Sequence, residues 1–183
     1  MANPSYIAEV GNVSKEELDA GIWEIRIALL RLAGSILQHP QNAEDAVSQA
    51  IVTAYQKLDT LRDATSLKPW LMKITVRCCW DQSRKQRREP AYGEPALMGK
   101  RLFAPGPQPT LYDTLMRLPP NLAQVLTLYY YEGYSTAEIG RLLELSRPTV
   151  SMRLSRGRRQ LKELLLTEEQ ETEGEDRIET AGI

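Results

Sequence analysis

The chain is expected to be all-α, with two small helical domains joined by a proline-rich linker, and three features of its 183 residues predict this. Apolar residues recur at steps of three and four in both halves, the spacing of a helix face. No segment alternates apolar and polar residues with the period of two that a half-buried strand requires. Between Glu89 and Thr110 the helical pattern stops, and five of the eleven prolines fall there together with three glycines, so this stretch reads as a semi-extended tether. The expected boundaries are a first domain over 12–89, a linker over 90–110, a second domain over 111–166 and a tail over 167–183. The tail is acidic enough to have the composition of a disordered segment.

In chain order, Leu18, Ile22, Ile25, Leu29, Leu32 and Ile36 form one stripe on a long first helix, which should stop near His39-Pro40 because proline disfavours helical geometry in the residue before it. Asn42 is the expected cap of a second helix, with Glu44 and Asp45 in its first turn and Val47, Ile51, Ala54 and Leu58 inward. A loop over 59–68 follows. Pro69 and Trp70 are expected to open a third helix with Leu71, Ile74 and Cys78 inward. Beyond the linker, helical spacing resumes at Leu115, Leu118, Leu122, Val125 and Tyr129 and breaks at Glu132-Gly133. Ser135 and Glu138 have the spacing of a capping box, leading a short helix with Ile139, Leu142 and Leu143 inward. Ser146 is the expected cap of a last helix with Pro148 in its first turn and Val150, Leu154, Leu161 and Leu164 or Leu165 inward.

Composition removes several function classes. Hydrophobic residues make up 42% and charged residues 26%, ordinary for a chain that forms a core. The longest apolar runs are a few residues, so no membrane insertion is expected and a cytoplasmic location fits. The two cysteines are neighbours, Cys78 and Cys79, and the single histidine, His39, is far from them, so neither a disulfide framework nor a zinc set is expected. No nucleophile-base pair or phosphate-cradling glycine loop occurs; no metal site, no cofactor and no enzymatic activity are expected.

The net charge of -1 hides an uneven distribution. From Arg147 to Lys162 there are six basic residues and no acidic one, whereas from Glu168 to Glu179 seven acidic residues face one arginine. Two short helices joined by a tight turn, the second carrying arginines, have the pattern of a helix-turn-helix. With Val150 and Leu154 buried, Arg147, Thr149, Ser151 and Arg153 are expected to project toward a major groove, and Arg156, Arg158, Arg159 and Lys162 toward phosphates. In the first half, Lys68, Trp70, Lys73, Arg77, Trp80 and Arg84 interleave aromatic and basic side chains, the arrangement that holds unstacked bases and tracks a single-stranded backbone.

These segments resemble a known family. AEDAVSQAIVTAYQKLD followed by LKPWLMKITVRCCWDQSRKQRR is similar to region 2 of the extracytoplasmic-function sigma factors, a subfamily of the sigma-70 RNA polymerase sigma factors, and the stretch from LMRLPPNLAQ to the last helix resembles their region 4. The resemblance spans residues 16–166. It implies that the second helix docks on the clamp coiled coil of the polymerase largest subunit through Asp45, Ser48, Gln49 and Val52. It further implies that the 59–68 loop and third helix open and read the minus-ten element, with Arg62, Lys68, Lys73, Arg77, Trp80 and Arg84. The helix from Ser146 to Arg159 would read the minus-thirty-five element. The family's usual glutamine and glutamate are here Ser48 and Gln49, and its usual asparagine in the third helix is Arg77. The implied partners are RNA polymerase core, through the clamp coiled coil and the flap region, promoter DNA, and an anti-sigma factor in a stress or envelope response. The alternative is a stand-alone helix-turn-helix regulator that binds duplex DNA without polymerase.

Overall fold

The computed structural model describes residues 13–88 and 110–180. Helix α1, Lys15–Leu37, starts at a reciprocal cap: Ser14 Oγ accepts the Glu17 amide at 3.1 Å and Glu17 Oε2 accepts the Ser14 amide at 2.8 Å. Leu18, Ile22, Leu29 and Leu32 are buried as the stripe requires, with Ile25 and Ile36 half-buried along its margin. The helix ends at Gln38, in the left-handed region ahead of His39-Pro40.

Helix α2, Pro40–Gln56, begins earlier than expected. Its cap is His39, whose Nδ1 accepts the Asn42 amide at 3.5 Å, and not Asn42. An imidazole nitrogen can accept like a carboxamide, and Pro40 loses nothing in the first turn, where its missing amide hydrogen has no helical partner. Glu44 and Asp45 consequently lie beyond the first turn. The inner face, Ala43, Ala46, Val47, Ala50 and Ala54, is made of short side chains that let α2 lie close to its neighbours.

Single 3-10 turns at Leu58–Thr60 and Ala64–Ser66 occupy most of the expected loop, and Leu61 between them is buried. Helix α3, Leu67–Arg88, starts two residues before Pro69. Its core face is Leu71, Met72, Thr75, Val76 and Cys79. The sequence reading put Cys78 inward; the helix phase instead buries Cys79 fully and Cys78 by half. Burial pushes both thiols above their ordinary range, which keeps them as packing groups.

The second half comprises α4 (Leu111–Met116), α5 (Pro120–Leu126), a π-helical turn (Thr127–Tyr131), α6 (Thr136–Leu143) and α7 (Arg147–Thr180). Spacing alone ran one helix through 115–129; the chain breaks after Met116 because the residue before each proline of Pro119-Pro120 is driven out of helical geometry, and Pro120 then restarts a helix. Thr110 caps α4 with Asp113; the remainder of the expected linker lies outside the described residues. The tail differs from its compositional reading: α7 is continuous through Thr180, in line with the basic turns. Glutamate and glutamine are good helix formers and no proline follows Pro148 to stop the helix.

Helix α7 seats on α5 at Gly157, where an added Cβ would lie 2.9 Å from Leu126 Cδ1 and 3.6 Å from Leu122 Cβ. Gly157→Leu is expected to lower stability by about 1–3 kcal/mol through overpacking. Gly157→Ala should stay near neutral, because a small shift of the Leu126 tip is offset by about 1 kcal/mol of helix propensity. Urea midpoints of the two variants check this.

The halves share one buried cluster, with α5 and the π-helical turn against α1 and α6 against α3. A polar knot crosses the seam. Glu132, its side chain 2% exposed, accepts Arg31 Nη2 at 2.9 Å and Nε at 3.2 Å on one oxygen and faces Lys68 Nζ at 3.3 Å on the other. The Arg31 guanidinium also lies 5.1 Å from the Tyr131 ring centre, and the Tyr112 hydroxyl donates to the Arg31 carbonyl at 2.8 Å. Gln38 donates to the Met116 and Leu118 carbonyls.

Candidate nucleic-acid interface

The pair α6–α7 is built by local chemistry. Ser135 Oγ accepts the Glu138 amide at 3.3 Å and Glu138 Oε2 accepts the Ser135 amide at 2.8 Å. The hydroxyl and amide of Ser135 hold the Glu138 carboxyl below the usual carboxylate range. Ile139, Leu142 and Leu143 are buried as expected. The chain then reverses through Glu144 at φ 56°, and the Leu145 amide returns to the Gly140 carbonyl at 2.8 Å. A Cβ at Gly140 would sit 2.8 Å from the Leu145 carbonyl oxygen, so this turn closes only over a glycine. Ser146 Oγ accepts the Thr149 amide at 3.3 Å, and the next helix begins with Pro148 in its first turn.

Val150, Leu154 and Gly157 point α7 inward. At about 100° per residue, the opposite direction belongs to Met152 and Arg159, flanked by Pro148, Ser155 and Arg156, all exposed. The residues expected to project lie to the sides. Arg147 and Ser151 are exposed on one flank with Arg158, whose Nε donates to the Leu154 carbonyl at 3.2 Å. Thr149 and Arg153 are half-buried on the other, and the Thr149 hydroxyl is engaged with Ser146 at 2.7 Å. Pro148 and Met152 carry no charge or hydrogen-bonding group to mark them, and Ser155 lies beyond the first turns where base contacts are expected; the helical phase set by Val150 and Leu154 places all three outward.

In the first half, Asp45, Ser48, Gln49 and Val52 recur at the spacing of one helix face and are all exposed on α2. On α3, Lys73, Arg77 and Arg84, all exposed, share a stripe with half-buried Trp80. The two helices border a cavity of about 950 Å³ lined by Asp45 and Gln49 on one wall and Lys73, Arg77 and Arg84 on the other. Arg84 is also paired with Asp81. Trp70 lines the same groove while packing against the core. Lys68 departs from this set: it faces the opposite way, onto Glu132. Arg62 is exposed on the segment between the 3-10 turns.

Two family models match these two halves separately: Sigma-70 region 2 over residues 24–89, and Sigma-70, region 4 over residues 110–161. RNA polymerase sigma factor CarQ of Myxococcus xanthus is 30% identical, the alignment covering 67% of this chain and 74% of that protein. The chain belongs to the extracytoplasmic-function sigma-70 family. The ECF RNA polymerase sigma factor SigW of Bacillus subtilis is 27% identical over 75% of this sigma factor and 82% of its own length. The probable RNA polymerase sigma factor RfaY of Xanthomonas campestris is 31% identical over 74% of this chain, which spans only 37% of that relative. The fold is shared with the sigma factor RpoE of Bartonella quintana, crystallised with the anti-sigma factor NepR: TM-score 0.68 at 23% identity, covering 82% of this chain and 97% of that one. The region 2 match contains both groove-lining helices of this sigma factor, and the region 4 match contains the capped α6–α7 turn but stops short of the acidic end of α7. Among the described residues, no helix is long and apolar enough to cross a membrane.

Proposed function

We propose that this chain binds bacterial core RNA polymerase and directs it to a particular set of promoters, acting in the cytoplasm without catalytic activity of its own. The observation that carries this reading is the groove of the first half, where an exposed polar stripe ending in Val52 stands beside a cationic stripe on α3. Asp45, Ser48, Gln49 and Val52 fit the flank of a partner helix, as a coiled coil would present it. Lys73, Arg77, Trp80 and Arg84, with Arg62 on the adjoining segment, suit a backbone and splayed bases at the minus-ten element. The capped helix-turn-helix carries the outward face of α7 to the minus-thirty-five element. Residues 12–89 and 111–166 act as the two working domains, and an anti-sigma factor is the expected restraint.

Both elements cannot be reached from the packed arrangement. They are named for positions some 25 base pairs apart, roughly 85 Å of duplex at about 3.4 Å per pair. A compact body of this length has a radius of gyration of only about 16 Å. The seam around Glu132 therefore belongs to a resting form that parts when polymerase binds, and Lys68 becomes free for the minus-ten region at the same step.

The docking face is tested by Asp45→Lys combined with Val52→Asp. Both positions are exposed, so the fold should survive by circular dichroism, while affinity for purified core polymerase falls about tenfold or more, as reversing a charge and removing an apolar side chain at the interface requires. Unchanged affinity would remove α2 from the interface.

A further inference from the structure

Over residues 147–159 the outward face of α7 is polar and cationic apart from Pro148 and Met152, and the next exposed apolar side chain on that face, Leu166, lies about four turns beyond Met152. Met152 is 45% exposed and lies outside the buried cluster, in the second turn, directly across the helix from Val150 and Leu154. A lone exposed apolar side chain is ordinary on a protein surface; its address is what distinguishes this one. A helix-turn-helix drives the first turns of its second helix into the major groove, and Met152 stands there with Pro148 and Ser155 beside it and Arg156 and Arg159 one turn further along. A thioether offers no donor, and setting it against the polar edges of guanine, cytosine or adenine would strip those groups of water and leave them unpaired. The one base edge in that groove that rewards an apolar side chain is the C5 methyl of thymine.

We propose that Met152 is a specificity-determining residue that selects thymine at one position of the upstream promoter element through contact with its methyl group. The assignment rests on the promoter-binding reading above and adds to it a base preference that comes from a side chain lacking charge. The arginines further along the helix supply most of the affinity; Met152 supplies discrimination at its own base.

The test uses the full chain bound to core polymerase. Duplexes enriched by this complex from a randomised library define the upstream element, and each thymine in it is then replaced singly by deoxyuridine, which removes only the methyl group. One such replacement is expected to weaken binding about fourfold, the effect of withdrawing one carbon from an apolar contact. In Met152→Ala, binding to the thymine duplex should fall by a similar factor and the same replacement should then have no effect. Insensitivity of the unmodified protein at each thymine, or equal sensitivity in Met152→Ala, overturns the assignment while leaving promoter binding in place. If no upstream sequence is enriched and Arg156→Ala also changes nothing, the promoter-binding reading falls, and the assignment with it.

Discussion

Replacing Glu132 with alanine is expected to part the two helical halves. Its carboxylate is 2% exposed and is the shared anion of two cations from the other half, so its removal leaves Arg31 and Lys68 facing each other without a counter-charge. Breaking a fully buried pair costs about 3–5 kcal/mol. Here the Arg31 and Lys68 side chains are 25% and 42% exposed and regain water, which reduces the effect to about 2 kcal/mol. The radius of gyration in solution scattering should rise relative to the unsubstituted chain. Affinity for core polymerase should tighten by up to about thirtyfold, since the binding-competent form no longer has to be drawn out of a packed one. Glu132→Gln, which keeps an acceptor for Arg31 but no charge, should fall between. Unchanged scattering together with unchanged polymerase affinity would show that the seam does not restrain binding.

Removing two cations from the outward face of α7 should have the largest effect on DNA. Arg156 and Arg159 are exposed on the outward side of α7, so Arg156→Ala with Arg159→Ala should leave the fold intact. An arginine held against a base edge or a phosphate is worth about 1–3 kcal/mol, so losing two predicts at least about thirtyfold weaker binding of the polymerase complex to its upstream element. The slope of log affinity against log salt should flatten by up to about two, roughly one for each phosphate left without its arginine. Arg158→Ala, on the flank with its guanidinium turned back to the Leu154 carbonyl, should do much less. Filter binding across a salt series checks all three.

The local signals explain which parts of this molecule could be read beforehand. Ser135 and Glu138 announced their helix because both partners of the cap sit within one turn, and the core faces of α1, α6 and α7 followed from spacing. The start of α2 was misplaced because asparagine is the commoner cap, whereas the structure uses the Nδ1 of His39 and a proline that tolerates the first turn. Pro119-Pro120 broke a helix that apolar spacing alone had joined. Composition suggested a disordered tail, but composition does not register that a helix already under way continues through glutamates without a stop signal. The knot at Glu132 lay beyond reach for a different reason: Arg31 and Glu132 are 101 positions apart, and only packing brings them together. At the candidate site, the α2 stripe and most of the α3 stripe fall where the sequence placed them. For Lys68 the charge was legible but not its direction: in the packed arrangement it turns away from the other groove cations, onto Glu132.

Promoter selection by this chain is tested by run-off transcription with purified core polymerase on genomic fragments. Discrete transcripts are expected that require this chain, begin at particular sites and vanish when the Asp45→Lys, Val52→Asp variant is used. The isolated chain should bind those fragments weakly, because its two readers are packed too close together to span both elements until polymerase parts them. Tight binding by the isolated chain, unchanged on adding core polymerase and without any dependent transcript, would contradict this role and identify a stand-alone regulator instead.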